Sequence, residues 1–196
     1  MSDYGVLAAV SGALRELLWD AYNPDAVINP IVGSEAAIVF SNPTVAAKDS
    51  ANRLSLWLYQ VTENEFLKNE PPERVNNDTL RFTPLPLNLS YLLTPMTSSG
   101  EADHLLLGKS MQVLYDNAIV LLRDPVSNVF EELRIVFARL TLEELTRIWE
   151  SLQEPYRLSV AYQVRVTRID SLREQDAMRV VDRSIGYGPA PAEVAA

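Results

Sequence analysis

Along this 196-residue chain the spacing of apolar positions switches several times between a helical and a two-residue period. From Asp3 to Tyr22, the residues Val6, Leu7, Val10, Leu14, Leu17 and Leu18 recur at three- and four-residue steps, which predicts an amphipathic helix capped by Asp3 or Ser2. On that wheel Trp19 falls beside Arg15 and Glu16, so Trp19 and Tyr22 are expected to project off the buried stripe. Two prolines and a glycine make 23–34 a loop, followed by a short strand over Ala37–Phe40. In Leu54–Val61 both alternating faces are apolar, the pattern of a central strand covered on both sides. A polar connection leads to Leu85, Leu87, Leu89, Tyr91 and Leu93, which alternate cleanly, and Pro84 and Pro86 place the start of that strand at a sheet edge.

Ser98 and Glu101 form a capping-box pattern. It opens a helix whose Leu107, Met111, Leu114, Ala118 and Leu121 share one face, with Asp124-Pro125 as its stop. Leu133, Ile135 and Phe137 predict a strand. Thr141 and Glu144 form a second capping box for a short helix with Leu142, Leu145, Ile148, Trp149 and Leu152 on one face, ended by Glu154-Pro155. The last strand, 157–168, alternates Leu158, Val160, Tyr162 and Val164 with a polar face made of Ser159, Gln163, Arg165 and Thr167. The expected architecture is α+β: a mixed β-sheet flanked by about three helices and covered mainly on one face. Residues 1–187 are expected to form a single domain and 188–196, rich in Ala and Pro, a flexible tail.

Composition narrows the partners. With 47% hydrophobic and 22% charged residues, the chain has the make-up of a soluble globular protein. A net charge of −9 argues against nucleic acid or an anionic membrane as partner. No cysteine is present, the first residues lack a basic signal region, and no apolar run approaches the ~18 residues of a membrane span. A cytoplasmic protein is expected.

Candidate chemistry is sparse. His104 is the sole histidine and lies among Glu101 and Asp103, where acids in the first turn of a helix serve its dipole better than a metal. The pairs Glu131-Glu132 and Glu143-Glu144 consist of neighbours that point to different sides, unlike a general acid and base. Gly186-Tyr187-Gly188 has no phosphate-loop context. Trp57, Tyr59 and Trp149 lie on apolar faces and read as core. No catalytic, cofactor-binding or metal-binding set emerges, and an enzyme is not expected.

Four stretches carry more information than their periodicity: ENEFLKN (Glu63–Asn69), PLPLNLSYLLTPM (Pro84–Met96), LLGKSMQVLYDNAIV (Leu106–Val120) and LTLEELTRIWESLQEPYRLSVAYQVRVTRIDS (Leu140–Ser171). In order and spacing they resemble the cap, or tail-terminator, proteins of phage-tail-like contractile injection systems, over about Ala37 to Tyr187. The resemblance implies a ring-forming structural subunit, hexameric, that sits on the inner tube and sheath and ends their growth, without cofactor, nucleic acid or membrane insertion. Some members carry a longer C-terminal extension, so roles tied to that extension are not expected of these residues. Exposed strand edges could grip arms of sheath subunits, with Leu85–Leu93 and Arg157–Arg168 as candidates unless they are interior to the sheet. Trp19 and Tyr22 are the candidates for subunit contacts, the alternative being Trp19 tucked beneath the 23–34 loop. Competing readings are a tail-completion or connector protein of a contractile phage and a small ligand-binding domain.

Overall fold

The computed structural model describes residues 4–67, 73–74, 79–123 and 130–176. Helix α1 (Val6–Tyr22) buries a ladder of five residues at four-residue spacing, Val6, Val10, Leu14, Leu18 and Tyr22. Asp3 and Ser2 lie outside the described residues, and Gly5 stands at the N-cap. The following loop contains a one-turn helix, α2 (Asn29–Val32). Asp25 Oδ1 accepts the Val27 and Ile28 amides ahead of it. Those bonds, the Ile28 amide foremost, and Lys109 hold the Asp25 carboxyl below the usual carboxylate range.

Helix α4 (Gly100–Asp116) packs against α1. Its cap is Ser99, one residue later than the expected Ser98: Ser99 Oγ accepts the Ala102 amide, and Asp103 Oδ1 accepts Thr97 N and Oγ1 at 2.8 Å each. The helix also ends earlier than expected. Asn117 donates both its amide and its Nδ2–H to Val113 O, and the chain turns into strand β6 (Ile119–Arg123). Every residue from Ala118 to Leu122 is apolar, so a helical and a two-residue period fit equally well there. Pairing decides for the strand, because Val120 and Leu122 then meet the core while their backbones bond to the next strand.

The main sheet has the order β1-β2-β5-β8-β7-β6, with β1 (Ile38–Val39), β2 (Leu54–Glu63), β5 (Leu85–Pro95), β7 (Phe130–Ala138) and β8 (Val160–Ile169). Only β1 and β2 pair in parallel. The expectation of a central β2 is corrected. β1 covers only Leu54 and Ser55, and among the described residues β2 has a partner on one side alone from Leu56 onward, with a register shift at Tyr59. The start of β5 does lie at an edge among the described residues: Leu85 and Pro86 pair with β8 alone, and β2 joins the ladder only from Leu87. Pro86 is tolerated there because its carbonyl still accepts Asn64 N at 2.8 Å, just past the end of β2, and the ladder with β8 bulges right after Leu87. A second sheet joins β3 (Glu73–Arg74), β4 (Thr79–Arg81) and β9 (Glu174–Asp176), drawn from stretches whose polarity hid them from a hydrophobic-pattern reading. The expected tail 188–196 lies outside the described residues.

The larger core lies where α1 and α4 meet one sheet face, with Leu56, Leu89, Tyr91, Leu93, Leu133 and Val164 beneath them. Two hydroxyl pairs are sealed inside it. Tyr22 Oη lies 2.6 Å from Ser110 Oγ, which donates to Leu106 O, and Tyr91 Oη lies 2.8 Å from Ser11 Oγ, which donates to Leu7 O. With each serine proton committed to a carbonyl, each tyrosine must be the donor to its serine.

Leu92 and Ala161 alternate with those core residues and so point to the opposite face, where a smaller buried set includes Trp149 and Ala46. Ala46 closes the one-turn helix α3 (Pro43–Ala46), and Trp149 comes from α5 (Leu142–Ser151). The mixed α+β sheet is therefore covered on both faces, with more on one. The capping box at α5 is formed as the sequence predicts: Thr141 N donates to Glu144 Oε2 (2.7 Å) and Glu144 N to Thr141 Oγ1 (3.3 Å). Thr141→Ala is expected to cost ~1 kcal/mol, read as a lower urea midpoint with unchanged slope.

Candidate assembly interfaces

The residues weighed for chemistry have structural partners or stand apart. His104 is exposed on α4. Among the described residues, no group of three or more His, Cys, Asp or Glu side chains is placed to hold a metal ion. Glu143 pairs with Arg147 (2.7 Å) and Glu132 with Arg134 (2.9 Å). Glu144 is engaged in the capping box, whose Thr141 amide holds its carboxyl below the usual range. Among the described residues, no helix is long and apolar enough to cross a membrane.

The structure separates the six interface candidates. Trp19 is half-buried and packs on the core, closer to the tucked arrangement than to a projecting one. The projection expected of Tyr22 is corrected: it continues the i+4 ladder of α1, is fully buried, and holds Ser110. Ser159 is also buried, because it precedes β8 and accepts the Trp149 indole N–H at 3.2 Å. Gln163 and Arg165 do lie on one side of β8, the Arg165 Nε donating to Gln163 Oε1 at 2.7 Å, with Arg165 exposed. Thr167 has its backbone paired to Leu87, and its side chain lies outside the described residues. Apart from Leu85 and Pro86 at its start, β5 is an interior strand, and so is β8, so neither offers the long edge considered from the sequence.

The available edges are elsewhere. Among the described residues, β6 has a partner only in β7, and β2 is open beyond Ser55. Ile119 and Leu121 project from the outer face of β6, 58% and 63% exposed. At the start of β6 an apolar groove of about 410 Å³ opens between α4 and the sheet, lined by Met111, Leu114, Tyr115, Ala118, Phe137 and Tyr162 among others. Phe137 and Tyr162 meet edge to face at 5.3 Å, and Tyr115 stands 83% exposed. The sequence signal for this region is the uninterrupted aliphatic run Ile119–Leu122, which the helical period absorbed.

The comparisons with known proteins bear on this arrangement. A search of curated proteins found no match. The fold is similar to that of an extracellular contractile injection system's PVC sheath/tube terminator in the extended state, with a TM-score of 0.65 and 19% identity over 96% of this chain and 65% of that one. It is also similar to the anti-feeding prophage cap, a tube-terminating cap, with a TM-score of 0.60 and 18% identity over 91% of this chain and 60% of that one. The chain thus spans less than two thirds of the length of either structure. The sequence profile of the Pvc16 N-terminal domain matches residues 9–183, nearly the whole chain, and the chain belongs to that family.

Proposed function

We propose that this chain is a structural terminator of a contractile injection system. In this reading it forms a ring, hexameric, on the end of the inner tube and sheath, stops their polymerisation, and assembles in the cytoplasm without catalytic activity. The observation that carries the reading is the family match over residues 9–183, supported by a fold shared across 96% of the chain with a sheath/tube terminator.

The physical logic follows from how helical polymers end. Tube and sheath layers grow through head-to-tail contacts, so each finished layer exposes a face that recruits the next. A terminator must match that face and present a different one outward. A rigid sheet with helices on both sides suits such a layer, because its surfaces keep fixed relative positions. Of the residues singled out from the sequence, exposed Arg165, half-buried Gln163, the partly covered Trp19, and Thr167, whose side chain lies outside the described residues, remain the candidate contacts. Tyr22 and Ser159 offer no surface to a neighbour.

Electron microscopy of particles made with and without the chain tests the proposal. Overlong or ragged tubes are expected in its absence. Particles of normal length with closed ends would sink it.

A further inference from the structure

Natural sheets protect their edges with charge, proline, bulges or short strands, because an open row of N–H and C=O groups recruits any strand that reaches it. The two ends of this sheet differ in that respect. At the β2 end, β1 covers Leu54 and Ser55, the ladder shifts register at Tyr59, and polar Gln60 and Thr62 follow. At the β6 end no such device interrupts Ile119-Val120-Leu121-Leu122.

The hydrogen bonds show which groups are on offer. Ile135 N donates to Ala118 O, and the register aligns Ile119 with Arg134, so Ala118, Val120 and Leu122 aim their backbone groups at β7. By alternation, Ile119 and Leu121 aim theirs at the other edge, which no strand among the described residues covers. The apolar groove begins at the same end, at Ala118, with exposed Tyr115 among its lining residues. An open ladder beside a side-chain pocket is the pairing that strand-addition sites use: main-chain bonds for affinity, pockets for selectivity.

Charge narrows the occupant. On the outer face Arg134 and Arg165 stand directly opposite one another in register. Glu132 bonds Arg134, while among the described residues Arg165 bonds the neutral Gln163 amide and no carboxylate. A carboxylate on a strand added to β6 would lie two strand spacings, ~10 Å, from the Arg134 backbone, within the combined reach of the two side chains. A second copy's β6 carries no acid to supply it, and the other sheet edge is the protected one.

We propose that the free edge of β6, together with the groove at its Ala118 end, accepts an extended arm from another protein of the particle: an aliphatic segment bearing at least one carboxylate. This rests on the terminator reading above.

The test uses particles assembled with the full chain. Leu121→Pro removes an N–H that no ladder bond among the described residues uses, and Leu121→Lys places a charge at the edge while keeping the N–H. Both variants are expected to keep the melting temperature within a few degrees and to lower the fraction of correctly ended particles at least tenfold. Amide exchange at Ile119 and Leu121 is expected to slow about 100-fold on going from free chain to particle. A photoreactive residue at position 119 should cross-link to a sheath or tube subunit, and the adduct's mass tells which. Normal particles from both folded variants, unchanged exchange at the two amides, or a cross-link to a second copy would each overturn the assignment. If particles lacking the chain are themselves normal, the terminator reading falls and takes this site with it; if they are aberrant while the Leu121 variants are normal, only the edge assignment falls.

Discussion

Replacing Trp149 by alanine is expected to destabilise the fold by about 4 kcal/mol, the range for truncating a buried tryptophan. Trp149 is the only fully buried residue of α5. The other apolar positions of that helix, Leu142, Leu145 and Ile148, and Leu152 at its C-cap are exposed or half-buried, so the indole supplies most of what holds α5 to the sheet. Truncation removes its contact with Tyr156, whose ring meets it edge to face at 6.4 Å, and deprives the buried Ser159 hydroxyl of its indole donor. Against a total stability of roughly 5–15 kcal/mol for a domain of this kind, that loss leaves a large unfolded fraction. Trp149→Phe keeps much of the buried area and loses the N–H, for an expected cost of about 1–2 kcal/mol. Urea titration of both variants checks the order. A Trp149→Ala cost below about 1 kcal/mol would mean that α5 is not held by this side chain.

The second large effect is a steep loss of stability in alkali. Tyr22 of α1 and Tyr91 of β5 are buried between the helices and the sheet, and burial pushes the Tyr91 hydroxyl up to about 12 and that of Tyr22 higher still, against an ordinary value of 10.0. Their hydrogen bonds to Ser110 and Ser11 offset only part of this. With folded values raised, the native state holds these protons more tightly than the unfolded chain, so the stabilisation is complete below pH 10 and falls as pH rises toward 12. Two such groups give a slope of about 2.5 kcal/mol per pH unit within that window. Urea midpoints measured from pH 9 to pH 12 check the slope, to which half-buried Tyr59 and Tyr162, also raised by burial, add, and Tyr22→Phe should reduce it by the share of one group, about 1.3 kcal/mol per pH unit. An unchanged slope in Tyr22→Phe would mean that water reaches the Tyr22 hydroxyl in solution.

Where one periodicity dominates, the sequence specifies the element. The i+4 ladder of α1, the Thr141 and Glu144 capping box, and the alternation in β5, β7 and β8 each involve neighbours close along the chain, whose geometry local sterics and hydrogen bonding dictate. The resemblance carried by the blocks between Glu63 and Ser171 led to the family that the profile match over residues 9–183 then established. The short pieces β3, β4 and β9 left no hydrophobic pattern, since polar residues there pair through main-chain groups that every residue possesses.

The sequence by itself determined the α+β class, the family, the main helices and strands, and the absence of a recognisable catalytic motif. Tertiary structure alone decided which surfaces remain for partners. Tyr22 and Ser159 are polar enough to pass for interface residues, yet each finds a buried partner far along or across the chain, Ser110 for one and Trp149 for the other. Ile119–Leu122 is apolar enough to pass for the end of a core helix, yet its pairing with β7 turns half of its backbone and side chains outward. Strand order is set by contacts between residues distant in sequence, which no local period encodes. The open edge of β6 therefore became visible only once its neighbours were known.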